Sequence, residues 1–299
     1  MMRSVLPVLT VVAVILAAWY VACVPMNARW AQDQAARAGV ELSLPELVAD
    51  TLSQQRPRLP APHQVLGEFW ASTWVEETQG RRGIVNTGTL SNRSLVFHGW
   101  VTLSATLLGF AMGTGLGLLL AIGIVHNRAM DRSVMPWAIA SQTIPIIALA
   151  PMIIVVLNAV GVSGLIPKAL IAAYLSFFPV VVGMVKGFRA PDAMQLDLLR
   201  TYNASGAETF FKLRLPASMP YLFASLKIGV AAALVGIIVA ELPTGAVAGL
   251  GARLLAGSYF GQTLQIWSAL VAAAILAAML VGIVGLAQRL TLRRMGMAA

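Results

Sequence analysis

Between Arg3 and Arg29, Arg132 and Lys168, Lys168 and Lys186, and Arg253 and Arg289 the chain carries no Asp, Glu, Lys or Arg, and Gly99–Val125 is also uncharged. About 20 consecutive apolar residues suffice for a helix to cross the hydrocarbon core of a bilayer. These runs predict an all-α integral membrane protein with six transmembrane helices, at 4–25, 99–125, 134–157, 164–185, 218–241 and 264–287. Gly161-Val-Ser-Gly164 supplies the turn between the third and fourth. Composition agrees. Only 11% of the 299 residues are charged and 58% are hydrophobic, whereas a soluble domain carries about 25% charged residues.

The charges between the runs set an orientation. With the N- and C-termini cytoplasmic, the inner segments collect Arg3, Arg128, Arg132, Lys186, Arg189, Arg200, Lys212, Arg214, Arg289, Arg293 and Arg294. The short outer connections keep only Arg253 and, near a span end, Lys168, which is a positive-inside pattern. The formal net charge of +9 thus follows from membrane orientation. No basic face with aromatic platforms for nucleic acid accompanies it. The first run exceeds the 7–15-residue apolar core of a signal peptide and predicts an uncleaved anchor over a removed signal. Cys23 is the only cysteine, so no intrachain disulfide or cysteine-based metal site is available.

The predicted organisation is an anchor at 1–25, an external segment at 26–97, a core of five spans at 98–290 and a basic tail at 291–299. In the external segment, Ser43-Leu-Pro-Glu46 has capping-box spacing and predicts a helix to about Gln55. Arg56–Pro62 reads as a stiff extended connector. Val65, Leu66, Phe69, Trp70 and Trp74 recur at helical spacing over Gln64–Glu77, which suits the outer interface or the outer ends of the spans. Gln79–Ser94 reads as an exposed loop. Gly109, Gly113 and Gly117 share one helical face and allow close approach of another helix.

The third span is interrupted by Gln142, Pro145 and Pro151. Proline removes a backbone donor and kinks a helix, which lipid tolerates only beside protein or a watery cavity. Gln142, Pro145 and Pro151 are therefore expected beside a solute path, with packing kinks as the plainer reading. Tyr174 and Phe178 in the fourth span are candidates for the same path or for core packing. Glu241, at the outer end of the fifth span, is a candidate for meeting solute or a neighbouring helix. Lys227, two turns inside that span, is expected to snorkel toward the cytoplasmic face.

Gly187–Pro220 is the largest charged connection, longer than a plain link requires. It predicts a short amphipathic helix from near Pro191, a turn at Asn203, a second short helix, and Pro216 and Pro220 opening the fifth span.

This segment resembles the cytoplasmic coupling motif of binding-protein-dependent ABC importer permeases of type I. The family pattern is Glu-Ala-Ala, three residues, Gly, nine residues, Ile, any residue, Leu-Pro. Leu215-Pro216 anchors the match, with Leu213 at the Ile position, Asn203 at the Gly position, and Asp197, Leu198 and Leu199 at Glu-Ala-Ala. Asn is the next most permissive residue for a left-handed turn. Pro60-Ala-Pro62-x-x-Val65, Thr102-Leu103 with Gly109-Phe110, Pro145 with Ala148 and Pro151, Phe178-Pro179, Ala240-Glu241 and Gly249-Leu-Gly251 are similar to the nitrate, sulfonate, taurine and thiamine-precursor branch. The likeness covers about residues 59–290, with Gln79–Ser94 as an insertion.

The resemblance implies a second permease subunit (identical or not), two ATP-binding subunits and an external solute-binding protein, in the bacterial inner membrane. It also implies that Asp197–Ser205, with Ala204 inside it, is the helix seated in the ATPase groove. No Gly-x-x-x-x-Gly-Lys-Ser/Thr loop is present, so ATP is expected on a partner, with no cofactor and no catalysis in this chain. His63, His98 and His126 lack metal-ligand spacing, and no hydrolase signature occurs. The rival reading, a self-contained secondary transporter or channel, predicts inverted halves or buried charged pairs.

Overall fold

A computed structural model describes residues 2–74, 76–80, 83–87, 94–242 and 248–297, the side chains of 2–5, 74, 76–80 and 83–87 excepted. The helices are α1 (Met2–Ala38), α2 (Leu44–Ser53), α3 (Pro62–Trp74), α4 (Leu95–His126), α5 (Arg128–Ser141), α6 (Ile146–Ala159), α7 (Leu165–Phe188), α8 (Ala193–Thr201), α9 (Gly206–Thr209), α10 (Leu215–Glu241), α11 (Leu250–Tyr259) and α12 (Thr263–Arg294). Among the described residues, five helical segments are long and apolar enough to cross a membrane, or six if α5 and α6, bent by 98°, count as one broken span. The chain divides into two compact units, residues 1–98 with 252–273 and residues 99–251 with 274–299.

In the first unit α1 runs well past the apolar run to Ala38, through both Pro7 and Pro25. The boundary expected after residue 25 therefore lies inside a helix. Ser43 caps α2 as its spacing predicted: its amide donates to Glu46 Oε2 at 2.9 Å and its hydroxyl at 2.6 Å. Those bonds hold the Glu46 carboxyl below its usual range. The proline-rich connector is extended and is held by Asn27, which is wholly buried. Asn27 Nδ2 donates to the carbonyls of Thr51 (3.1 Å) and Leu59 (2.8 Å), and its Oδ1 accepts from the amides of Arg58 (2.9 Å) and Leu59 (3.1 Å). A buried amide that meets donors and acceptors together fixes one conformation of a segment with little secondary structure of its own. Helix α3 ends at Trp74 rather than Glu77.

The loop expected from Gln79 is in part an antiparallel hairpin, β1 (Glu76–Gly80) with β2 (Gly83–Thr87), pairing Glu76 with Thr87 and Gly80 with Gly83. Thr and Val along it suit a pleated strand, a pattern too short to register beside the glycines. Residues 88–93 of that expected loop lie outside the described residues.

In the second unit the most extensive pairing is α10 on α7. The shared glycine face of α4 is turned on α7. A Cβ at Gly113 would lie 2.7 Å from the Ala173 carbonyl oxygen, and one at Gly117 2.8 Å from that of Phe177. The close approach expected from the glycine spacing is thus made within the chain. Val180, Val181, Met184 and Phe188 of α7 with Ala121 and Ile124 of α4 form the largest apolar cluster. The third predicted span is the bent pair. Pro145 denies Ile144 the helical conformation and becomes the N-cap of α6, while Pro136 and Pro151 lie within α5 and α6 without ending them. The Ser141 carbonyl, at the end of α5, accepts from the Ile144 amide at 3.4 Å and from the Tyr174 hydroxyl.

Candidate functional site

Helix α8 starts at Asp192, whose amide donates to Gln195 Oε1 at 3.2 Å. It ends in a Schellman arrangement: the Asn203 amide donates to the Arg200 carbonyl (2.9 Å) and the Ala204 amide to that of Leu199 (3.0 Å). This closure needs a left-handed residue. Asn203 has φ +50°, the only positive φ at a non-glycine position among the described residues. The turn predicted at Asn203 is present. Ser205 then caps α9, its amide donating to Glu208 Oε2 at 2.9 Å and its hydroxyl accepting from the Glu208 amide at 3.2 Å. Helix α9, a π-helical turn at Phe210–Arg214 and α10 form one helix from Gly206 to Glu241. The second short helix is therefore continuous with the fifth span. Phe210 stacks at 5.1 Å from Phe188, and Arg214 reaches the Phe188 carbonyl. These contacts fix the hairpin on the end of α7, while Met194 (83%), Leu198 (57%), Tyr202 (77%) and Phe211 (64%) stay exposed. Of the predicted coupling residues, Asp197, Leu198, Asn203 and Ser205 are exposed, and Leu199, Ala204, Leu213, Leu215 and Pro216 are half-buried. Asp197 pairs with Arg200 at 3.0 Å.

At the other end of α10 Glu241 is wholly buried. Its Oε1 accepts from Lys168 Nζ at 3.1 Å, and its Oε2 from the Gly251 amide at 2.9 Å and the Thr102 hydroxyl at 3.0 Å. Thr102 Oγ1 in turn accepts from the Leu250 amide at 2.9 Å, and Lys168 also donates to the Ala248 carbonyl. Gly249 has φ +128°, and a Cβ there would enter the Glu241 carboxylate. Helices α4, α7 and α10 and the segment 248–251 thus meet on one carboxylate. The sequence marked Glu241 as a candidate, Thr102 as a landmark of the resemblance and Lys168 as a charge near a span end, but gave no sign that the three meet. The Gly249-Leu-Gly251 spacing was the one signal that backbone must come close there.

Two grooves run along the α7–α10 face. One, of about 670 Å³, is lined by Ile146, Leu175, Lys227, Ile228, Ala231, Ala232 and Val235. The other, of about 340 Å³, is lined by Phe178, Pro179, Val182, Gly183, Tyr221, Ala224, Ser225 and Ile228. Phe178 therefore lines a groove, and Pro145 adjoins one through Ile146. Gln142 and Tyr174 sit at the α5–α6 break, and Pro151 lies half-buried in α6. Of the six residues expected on a path, Phe178 is the one that lines either of these two grooves.

Residues 113–297 match the family model of the binding-protein-dependent transport system inner membrane component. The chain belongs to that family. It is 32% identical, over 79% of its length and 80% of the relative's, to the riboflavin transport system permease protein RibX of Chloroflexus aurantiacus. The formylaminopyrimidine transport permease protein ThiX of Halalkalibacterium halodurans is 32% identical over 56% of this chain and 65% of its own. The putative aliphatic sulfonates transport permease protein SsuC of Bacillus subtilis is 26% identical over 66% and 69%. Among solved structures, a chain of the MetNI methionine ABC transporter, in inward facing conformations, superposes with a TM-score of 0.50 at 22% identity, covering 67% of this chain and 95% of that one. That likeness speaks for the fold. As an ABC permease the chain is a multi-pass, non-catalytic membrane component, so its site is to be sought in surfaces and a path rather than in a reacting group.

Proposed function

We propose that this permease forms one half of the path of an ATP-driven importer for a small solute. A second permease subunit supplies the other half, two separate ATP-binding subunits drive it, and an external solute-binding protein feeds it. The cargo is a sulfonate- or nitrate-like anion or a thiamine-precursor- or pyrimidine-like heterocycle, a reading supported by the riboflavin, formylaminopyrimidine and aliphatic sulfonate names of its relatives. Both termini lie in the cytoplasm of a bacterium and the spans cross its inner membrane. ATP binds the partner, and this chain needs no cofactor of its own.

The observation that carries this reading is the α8–α9 hairpin. It is capped at each turn by its own side chains, yet leaves Met194, Leu198 and Tyr202 exposed, with Phe211 exposed just beyond it. Such a rigid, partly apolar projection suits a groove on another protein. Asp197, Leu198, Leu199, Asn203, Ala204 and Ser205 make the docking face, and Leu213, Leu215 and Pro216 join it to α10. Gln142, Pro145, Pro151, Tyr174 and Phe178 flank the path, with the α7–α10 grooves as its wall. Glu241 stands at its outer end, anchoring 248–251 rather than touching solute. Both carboxylate oxygens are already engaged, Oε1 by the Lys168 ammonium and Oε2 by the Gly251 amide and Thr102 hydroxyl, which supports that role.

The test is copurification from membranes followed by uptake of riboflavin, a formylaminopyrimidine, an aliphatic sulfonate and nitrate. An ATPase without spans should accompany the chain. Asp197→Arg and Ala204→Arg should abolish vanadate-sensitive uptake while leaving the protein in the membrane. Transport by the purified chain alone would instead establish a self-contained transporter.

A further inference from the structure

Of the three lysines in α7 and α10, Lys186 is exposed in the last turn of α7, and the two deeper ones are treated differently. Lys168 is paired with Glu241. Lys227 is half-buried in α10, and among the described residues no carboxylate pairs with it. It lies fourteen residues before Glu241, about 21 Å along the helix axis. Its side chain runs beside Gly285 of α12, where a Cβ would lie 3.6 Å from its Cε and 3.8 Å from Nζ. No α12 side chain at that position covers the ammonium. On its other flank Lys227 lines the 670 Å³ groove, whose remaining wall residues are all aliphatic. Ile228 is shared with the second groove, where Phe178 and Tyr221 add aromatic rings. A snorkelling role accounts for the long stem but not for a groove of ligand size beside it.

We propose that Lys227 is an anion-recognition residue of the solute path. Its ammonium takes the negative group of an organic anion, and the anion's apolar body lies along Ile228, Ala231 and Val235. An unpartnered charge in a spanning helix marks a ligand or ion pathway by default. In weakly polar surroundings its attraction for an opposite charge is several-fold that in water. A groove of this size with one cation suits an organic monoanion better than a bare inorganic ion. The inference rests on the α7–α10 grooves being the path, and narrows the solute to one class. The phosphate of an inner-leaflet lipid carries the same charge, so the test separates the two sources.

The full-length chain in nanodiscs of phosphatidylcholine is titrated with tritiated naphthalene-1-sulfonate and with the uncharged naphthalene-1-sulfonamide. The wild type should bind the sulfonate at least about ten-fold more tightly, as for one charge-assisted contact. Lys227→Arg should keep that preference within about three-fold, and Lys227→Met and Lys227→Gln should both abolish it. Equal binding of the two probes by the wild type, or an undiminished preference in the Met and Gln variants, overturns the proposal. Micelles of dodecyl maltoside, which carry no phosphate, should leave the sulfonate preference unchanged. A gain in sulfonate affinity of about ten-fold or more there would assign Lys227 to lipid phosphate in the bilayer and equally overturn the proposal. The path is tested apart from this by Ala231→Trp in the complete importer. Wild-type uptake by that variant removes the path reading itself. Blocked uptake, combined with charge-indifferent binding in the nanodiscs, removes only the role of Lys227.

Discussion

The two ends of α10 are wired in opposite ways. Around Glu241 the bonds are long-range, joining Thr102, Lys168 and Gly251 to one buried carboxylate across as many as 139 residues of chain. Around Asn203 they are short-range. Asp192 with Gln195, Asp197 with Arg200, Ser205 with Glu208 and Glu208 with Lys212 all pair three or four residues apart, and all are exposed. A buried network that is fully satisfied holds separate helices in one arrangement. A locally capped hairpin keeps its own shape whatever surrounds it, which leaves its outer side chains to a partner. One end is made to hold and the other to be held.

That contrast breaks most severely if the buried end fails when one partner is removed. Glu241→Ala leaves the partly buried Lys168 ammonium and the buried Thr102 hydroxyl without their carboxylate partner and should cost about 3 kcal/mol, the lower end for breaking a buried pair, read as a fall in thermal-unfolding midpoint in detergent. Gly249→Ala puts a side chain into the same carboxylate at a left-handed φ, and should cost about 1–3 kcal/mol by the same measurement. At the exposed end, Leu198→Asp and Tyr202→Ala should leave the midpoint within about 0.5 kcal/mol of wild type. The same two variants should reduce ATPase recovered on pull-down by about ten-fold, as loss of a buried anchor does. Ser205→Ala removes an N-cap and should cost about 1 kcal/mol, seen as faster amide exchange over Gly206–Glu208. Asn203→Gly should be the mildest, with stability changed by about 0.5 kcal/mol or less, since glycine adopts the left-handed turn freely. A large effect of Asn203→Gly on ATPase recovery with no effect on stability would show that the Asn side chain itself contacts the partner.

How much was legible beforehand follows the same division. The Ser43 cap, the turn at Asn203, the break at Pro145 and the span positions all come from residues close in sequence, and all were readable from spacing. The Leu44–Ser53 helix and the α7 contact of Gly113 and Gly117 extend that reading by one step. What was hidden depends on partners far along the chain. Asn27 gives no sign that it will anchor Leu59, and Thr102 none that it faces Glu241, because neither periodicity nor capping carries information across dozens of residues. The continuation of α1 to Ala38 was hidden for another reason. Beyond the apolar run the residues are polar but good helix formers, such as Ala and Gln, and hydropathy measures where a helix is apolar, not where it ends.

The unbroken course from Gly206 to Glu241 has a mechanical consequence. Thirty-six helical residues make a shaft of about 54 Å, longer than the roughly 30 Å oily layer it crosses. No gap or loop interrupts it, and its irregularities, the π-helical turn at Phe210–Arg214 with Pro216 and Pro220 just beyond, all lie near the hairpin end. If a partner pushes on the capped hairpin as proposed, the give would be in that first stretch, and the remainder would carry the push to the far end, where a single carboxylate ties it to two neighbouring helices.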